Sequence, residues 1–443
     1  MRAITHDVAP GLRAEVRMEG GEFEMEDQRN WTDASFKSYS PPLQHPRPIR
    51  FLRGTPIRQR IGVRIVGQSA APVAPASPRW ESPANVEIRV GAESSCRLPA
   101  LGTLWTETTA TVETVTALQR LRLSHLRVDF WAGDNMSAAR LLAAASAARS
   151  LDAALELAIF ARDDLAATLV HVCALLGEVQ PRPRVARWLV FHETAPATPR
   201  ELVLVARQVL ASSAFAAPIG GGACDNFAEF NRNHEAAEIS DFTVHACNPQ
   251  VHAFDDVSVV ETLEIQAQAV ENARRLSHGK PVCVSLVTLP RRWRKGEGGA
   301  PETRPSNLMP FKGDSRHGSA FNAAWTFGSL ASLARAGTAS VTYFEVMGTN
   351  GLIAPPGTPL PVFETLRQVT AFGTLSMRET TSSNPLVVDA MAFEHADEVC
   401  LLVANLTAAT RQVSVLPGGQ LHQVAFSPFE VRMLKCERSR LLC

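Results

Sequence analysis

The 443-residue sequence predicts an α/β fold: a (β/α)8 TIM barrel flanked by a partial N-terminal β-sandwich and a small C-terminal antiparallel β domain. Three observations predict it. Residues 1 to about 90 alternate apolar and polar with period two between Pro-rich turns, whereas from about residue 98 short apolar runs alternate with amphipathic helical segments. After about residue 380 the period returns to two. The expected domains are residues 1–92, 93–378 (the catalytic barrel) and 379–443. At roughly 100–200 residues per domain, the length fits two or three.

In the first segment Gly11–Met18 and Arg58–Val66 read as strands, and Asn85–Val90 as the last one. Gln68–Pro78 is too rich in Pro and Ala to join a ladder and reads as a loop. So few strands predict an incomplete β domain.

The barrel is predicted from eight apolar runs: Leu98–Trp105, Leu123–Trp131, Ala153–Phe160, Val185–Glu193, Ala217–Gly222, Asp241–Cys247, Val282–Leu289 and Ser340–Val346. Helical patterns follow them, for instance Ser137–Arg149, Asp164–Leu176, Pro199–Ser212, Val260–Leu276, Ala320–Ala336 and Pro361–Phe372. A doubly wound open sheet is the alternative, but it normally stops at five to seven strands, and no Gly-x-Gly-x-x-Gly follows the first run. The C-terminal strands are expected at Leu386–Phe393, Glu398–Asn405, Arg411–Leu416, Leu421–Phe426 and Phe429–Leu434, with Pro417-Gly-Gly419 as a turn.

Composition excludes several classes. With 45% hydrophobic and 20% charged residues, and 44 Lys plus Arg against 44 Asp plus Glu, nothing favours nucleic acid or anionic lipid as a partner. The start lacks a secretory signal and no apolar run reaches the ~18 residues of a spanning helix, so a cytoplasmic protein without membrane contact is expected. The eight cysteines are scattered without a C-x-x-C pair and read as reduced thiols. No cofactor is expected.

In a barrel, function collects at the C-terminal ends of the strands. Glu193 closes the fourth run and Glu345 the eighth, and paired carboxylates across a barrel mouth suit hydrolysis by general acid and base catalysis. Either could instead be a strand-end Glu bound to a loop Arg. Arg127 and Asp129 share one face of the second run, as substrate ligands or as an internal ion pair. His245, Asn248 and His252 end the sixth, where imidazole and amide groups suit a hydroxyl-rich ligand or simply brace their own loop. The basic, Gly-containing stretch from Pro290 to Arg316 reads as a lid or a solvated loop, with Arg316 better placed than Arg291 or Arg292 to meet a carboxylate or carbonyl. Gly220-Gly-Gly222 could cradle a phosphate but more simply lets the fifth strand turn. No Gly-x-Ser-x-Gly, His-x-His or His-Glu-x-x-His occurs, so neither a nucleophile elbow nor a metal site is expected, although His192, Glu193, His245 and His252 could gather in space.

The stretch Phe23-Glu-Met-Glu-Asp-Gln-Arg-Asn-Trp-Thr-Asp-Ala-Ser-Phe-Lys-Ser-Tyr39 resembles the hallmark of the D-apionate lactonase family. Val185–Glu193, Pro218–Gly222 with Glu229-Phe-Asn-Arg232, Asn248–Asp255 and Ala323–Ser329 leading to Ala339–Tyr343 are similar to the same family, in the same order. The resemblance implies a hydrolase that opens D-apionolactone, a sugar lactone, to D-apionate in apiose catabolism, on a glycoside-hydrolase-like barrel between β domains. Members begin with a longer N-terminal domain, which implies that part of it is missing here. In the last barrel run an acidic residue and Thr are expected after Tyr343, whereas Phe344-Glu345-Val346 shifts the Glu by one residue, to the other face of a regular strand.

Within this reading Glu193 and Glu345 share the acid and base roles, while Arg127, Asp129, His192, Asn231, His245, Asn248, His252 and Arg316 hold the sugar or its oxyanion. Glu26, Asp27, Arg29 and Asp33 either reach the site or brace a domain interface. The rivals are a glycosidase with Glu193 as acid/base, disfavoured because the seventh run has no Glu, and a non-catalytic carbohydrate-binding protein.

Overall fold

The computed structural model describes residues 1–9, 11–32, 37–46, 48–67, 85–162, 164–292, 313–355, 357–373, 376–395, 398–416 and 422–437. The expected Gln68–Pro78 loop, the Pro417 turn, most of the basic stretch after Pro290 and Asp33 lie outside these. Two compact units form, Met1–Gln28 with Ala34–Glu81, and Arg29–Asp33 with Ser82–Cys443.

In the first unit β1 (Ala3–Ala9) and β2 (Leu12–Glu19) pair antiparallel, β3 (Glu24–Met25) and β4 (Ser38–Tyr39) form a two-residue ladder, and β5 (Arg60–Gly67) adds to the other edge of β2.

The second unit opens with β6 (Asn85–Glu93) and enters the barrel, whose strands are β7 (Ala100–Leu104), β8 (His125–Trp131), β9 (Ala154–Ala161), β10 (Val185–His192), β11 (Ile219–Ala223), β12 (Phe242–Cys247), β13 (Val282–Val287) and β14 (Ser340–Met347). Every neighbouring pair is parallel and β14 closes on β7, so all eight predicted runs are strands of one closed barrel. Burial on both faces explains why they read as unbroken apolar runs rather than as alternation. Around the barrel lie α1 (Val112–Gln119), α2 (Ser137–Ser150), α3 (Leu165–Glu178), α4 (Arg200–Leu210), α5 (Phe227–Arg232), α6 (Asp256–Glu261), α7 (Leu263–Leu276), α8 (Ala320–Arg335) and α9 (Pro361–Thr370). The helix expected at Val260–Leu276 is therefore two.

Gly220 and Gly222 do not turn the chain. A β-carbon on Gly220 would stand 2.3 Å from the Phe242 ring, and one on Gly222 would stand 1.8 Å from the Val244 carbonyl oxygen. The glycines let the neighbouring strand's bulk into the barrel.

After β15 (Gly351–Ala354) and β16 (Thr358–Pro359), the C-terminal strands are β17 (Met377–Ser382), β18 (Val388–His395), β19 (Glu398–Asn405), β20 (Arg411–Leu416), β21 (His422–Phe426) and β22 (Val431–Glu437). They make a sheet in the order β21-β20-β6-β17-β18-β19-β22. This corrects the reading of Asn85–Val90 as the last strand of the N-terminal segment: β6 is hydrogen-bonded between β17 and β20. Its inward residues Val86 and Ile88 join a core with Val388, Leu401 and Val413. Period two marks a strand but not its partner. Helix α8 is buried on nearly every side because this sheet covers its outer face, where Arg335 donates to Asp389 at 2.8 Å and Phe321 meets Phe429 edge-on at 5.3 Å. Among the described residues no helix is long and apolar enough to cross a membrane.

Candidate active site

The inside of the barrel is polar at mid-height. Glu156 on β9 is fully buried and accepts from Ser285 and, at 3.0 Å, from Thr342, while His125 meets Thr342 at 2.9 Å. Arg187 and His125 lie 3.6 and 3.7 Å from its second oxygen. Burial pushes the Glu156 carboxyl up, yet His125, Arg187 and Arg127 outweigh it and hold it below the usual carboxylate range. Burial also pushes His125 down to about 4, against the pull of the Glu156 charge.

Arg127 carries this layer upward. Its Nη1 donates to Ser285 at 2.8 Å and its Nε to Asp129 at 2.7 Å, and Arg292 from beyond β13 donates to the second oxygen of Asp129 at 2.8 Å. Burial pushes Asp129 up, but the two guanidinium groups prevail and hold it ionised. Beside them the rings of Trp131, Phe160 and Phe191, from three successive strands, stack with centroids 4.0 and 5.1 Å apart.

Glu345 completes this mouth. Thr342 is in register with Gly102 but Glu345 with Leu104, so β14 carries one residue more than β7 between the two pairs. The extra residue is a β-bulge, and Phe344 sits at its centre with φ 51°. Tyr343 and Phe344 both turn outward, Tyr343 to Ser329 of α8 and Phe344 edge-on to His317 at 4.8 Å. Glu345 thereby returns to the inner face, which corrects the expectation from a regular strand. Burial pushes its carboxyl up to about 7, with Arg292 opposing and Asp129 and Glu107 adding to the rise.

The other expected residues are placed less uniformly. Glu193 follows β10 and its carboxylate accepts from Arg162 at 3.0 Å. The His192 Nδ1 accepts from the backbone N–H groups of Thr194 and Ala195, bracing its own loop. His245 turns from the barrel axis to meet Phe227 of α5 edge-on at 5.4 Å, and burial pushes it down to about 4. Arg316 is held by Asp314 at 2.7 and 3.0 Å and by Asp256 at 2.7 Å, so the carboxylates it meets are the protein's own.

Asn248, after β12, donates to Asn226 at the end of the β11–α5 turn at 2.9 Å. Asn231 on α5 donates to Asn30 at 2.9 Å, and Trp31 lies edge-on to His252 with centroids 6.0 Å apart and under the guanidinium of Arg232. From the unusual N-terminal stretch it is thus Asn30 and Trp31, not among the expected residues, that touch these barrel loops. Glu26 and Asp27 belong to the first compact unit, Arg29 to the second. Among the described residues no three His, Cys, Asp or Glu gather as metal ligands.

The fold is that of a glycoside-hydrolase-like barrel. SrfJ from Salmonella typhimurium superposes with a TM-score of 0.55 at 10% identity, over 86% of this chain and 96% of that one. AbfB, a family 51 α-L-arabinofuranosidase from Bifidobacterium longum, gives 0.53 at 12% identity, over 74% and 87%. At such identity the likeness shows the fold alone.

The family described as "D-apionate lactonase, TIM barrel domain" matches residues 100–374, and "D-apionate lactonase, N-terminal domain" matches residues 1–68. A D-apionate lactonase from Brucella anthropi is 30% identical over 452 residues, 98% of this chain and 72% of that protein. The chain belongs to the D-apionate lactonase family, whose members hydrolyse lactones.

Proposed function

We propose that this enzyme opens D-apionolactone to D-apionate in apiose catabolism, with Glu345 as the group that moves the proton. The observation that carries the reading is a carboxyl buried at the barrel mouth and acted on by the guanidinium that holds Asp129, its pKa pushed up by burial to about 7. Such a group is half ionised near neutral pH, where general base and general acid are both available.

Ionised Glu345 takes a proton from water as its oxygen attacks the lactone carbonyl carbon. Negative charge moves to the carbonyl oxygen, and Arg292, whose charge acts on Glu345, offsets it. On collapse the bond from carbonyl carbon to ring oxygen breaks, and Glu345 returns its proton to the leaving alkoxide. The product is an open hydroxy acid. Glu193 enters as the second carboxylate of the mouth, supporting rather than carrying the transfer, because Glu345 alone can accept and return the proton. Asp129 holds Arg292 in place.

Purified protein is assayed on D-apionolactone near neutral pH, with and without a chelator, against an aryl-glycoside panel and a spontaneous-hydrolysis blank. The expected result is opening of the lactone and no release from the glycosides. Glycoside cleavage without lactone opening overturns the reading.

A further inference from the structure

The turn from β11 into α5 faces the same mouth. Cys224 feels the charges of Asp225, Arg127, Arg292 and Asp129, and Arg291 lies 3.8 Å from Asp225. Two residues past Cys224, Asn226 is 1% exposed, and Asn248, from the next strand end, is 3% exposed. One amide hydrogen bond joins them, from Asn248 Nδ2 to Asn226 Oδ1. The remaining atoms, Asn226 Nδ2 and Asn248 Oδ1, are buried and have no hydrogen-bond partner among the described residues.

An orphan amide donor and an orphan amide acceptor side by side is an unfavourable arrangement unless something binds there. The capping box of α5 fixes which way Asn226 points, because its side-chain oxygen accepts from the Glu229 backbone N–H while Nδ2 faces away. A water molecule or an alcohol supplies the matching groups, and so do two neighbouring hydroxyls of a sugar. A carboxylate lacks the donor.

We propose that Asn226 and Asn248 form a hydroxyl-recognition subsite of the barrel mouth: Asn226 donates to, and Asn248 accepts from, hydroxyl groups of the lactone ring. This rests on the lactonase reading and deepens it, because it makes the enzyme selective for hydroxylated lactones over bare ones. A site with buried amides built for hydroxyls leaves them unmatched by an analogue without hydroxyls.

The test compares kcat/KM for D-apionolactone and for γ-butyrolactone, which has no hydroxyl, in wild type, Asn226→Ala, Asn248→Ala and Asn248→Asp. Wild type is expected to prefer D-apionolactone by at least about 10²-fold, and each alanine variant to lose about tenfold or more of that ratio, mainly through KM. Melting curves accompany each variant, and Asn226→Ser replaces Asn226→Ala if the latter does not fold. A ratio within twofold of wild type in folded variants overturns the subsite.

Calorimetric binding of D-apionate to wild type and Asn248→Ala separates the two readings. If wild type opens no lactone yet binds D-apionate, and Asn248→Ala weakens that binding about tenfold, the lactonase reading fails and the subsite stands. If the folded variant binds D-apionate as wild type does, or wild type does not bind it at all, the subsite is overturned.

Discussion

Phe344 turns Glu345 into the barrel. Its φ of 51° places an extra residue in β14, so a carboxylate that a regular strand would direct outward lies instead within reach of the Arg292 and Asp129 charges. A bulky residue in the left-handed region is uncommon, and its presence at a strand end beside a perturbed carboxyl fits strain held at a functional site.

If Glu345 acts as the base, kcat/KM for the lactone rises with pH through about 7 and then levels. Glu345→Gln should lower it by about 10²- to 10⁴-fold and remove that limb. Glu193→Gln should give a smaller loss, and little change in stability, since a pair with an exposed Arg162 contributes under about 1 kcal/mol. Initial rates from pH 5 to 9 on both variants check this.

Arg292 and Asp129 act on Glu345 with opposite sign. Arg292→Met removes a cation that draws Glu345 down, so the acid limb should move to higher pH, with kcat lower by about 10²-fold or more. Asp129→Asn removes a negative charge that pushes it up, so the limb should move to lower pH. The two pH profiles, measured side by side, settle the direction.

The same carboxyl has a stability signature. Its folded pKa of about 7 lies above the ordinary value of 4.5, so between these values the folded state binds more protons than the unfolded one and stability falls as pH rises. The penalty is complete above about 7 and is on the order of 3 kcal/mol. Glu345→Gln should therefore gain stability on wild type from pH 5 to pH 8, read as a rise in relative denaturant midpoint.

Arg127→Met should destabilise by about 3–5 kcal/mol, because Asp129 and Glu156 would keep buried charge while losing a cation. Urea unfolding followed by circular dichroism measures it.

The barrel was legible because each buried parallel strand is a short apolar run with a helical pattern beyond it, and all eight runs are strands. Parity at Glu345 was not, since nothing in Tyr343-Phe344-Glu345 signals a left-handed Phe. Asn226 escaped notice because α5, at 6 residues, is too short to show a helical period. Arg316 was read as available because sequence spacing cannot show that Asp314 and Asp256 hold it. Asn30 and Trp31 sit some 200 residues from the loops they touch, beyond the reach of local patterns.

Strand β6 has a consequence for how the chain is made. Arg378 donates to the Gly91 carbonyl 287 residues earlier, so the ribosome delivers β6 long before its neighbours exist. At about 5–20 residues per second, that strand waits roughly 15–60 s with both edges bare while the whole barrel is synthesised. Its Arg89 and Glu87 side chains, charged and turned outward, are suited to keep a nascent strand from recruiting the wrong partner during that interval.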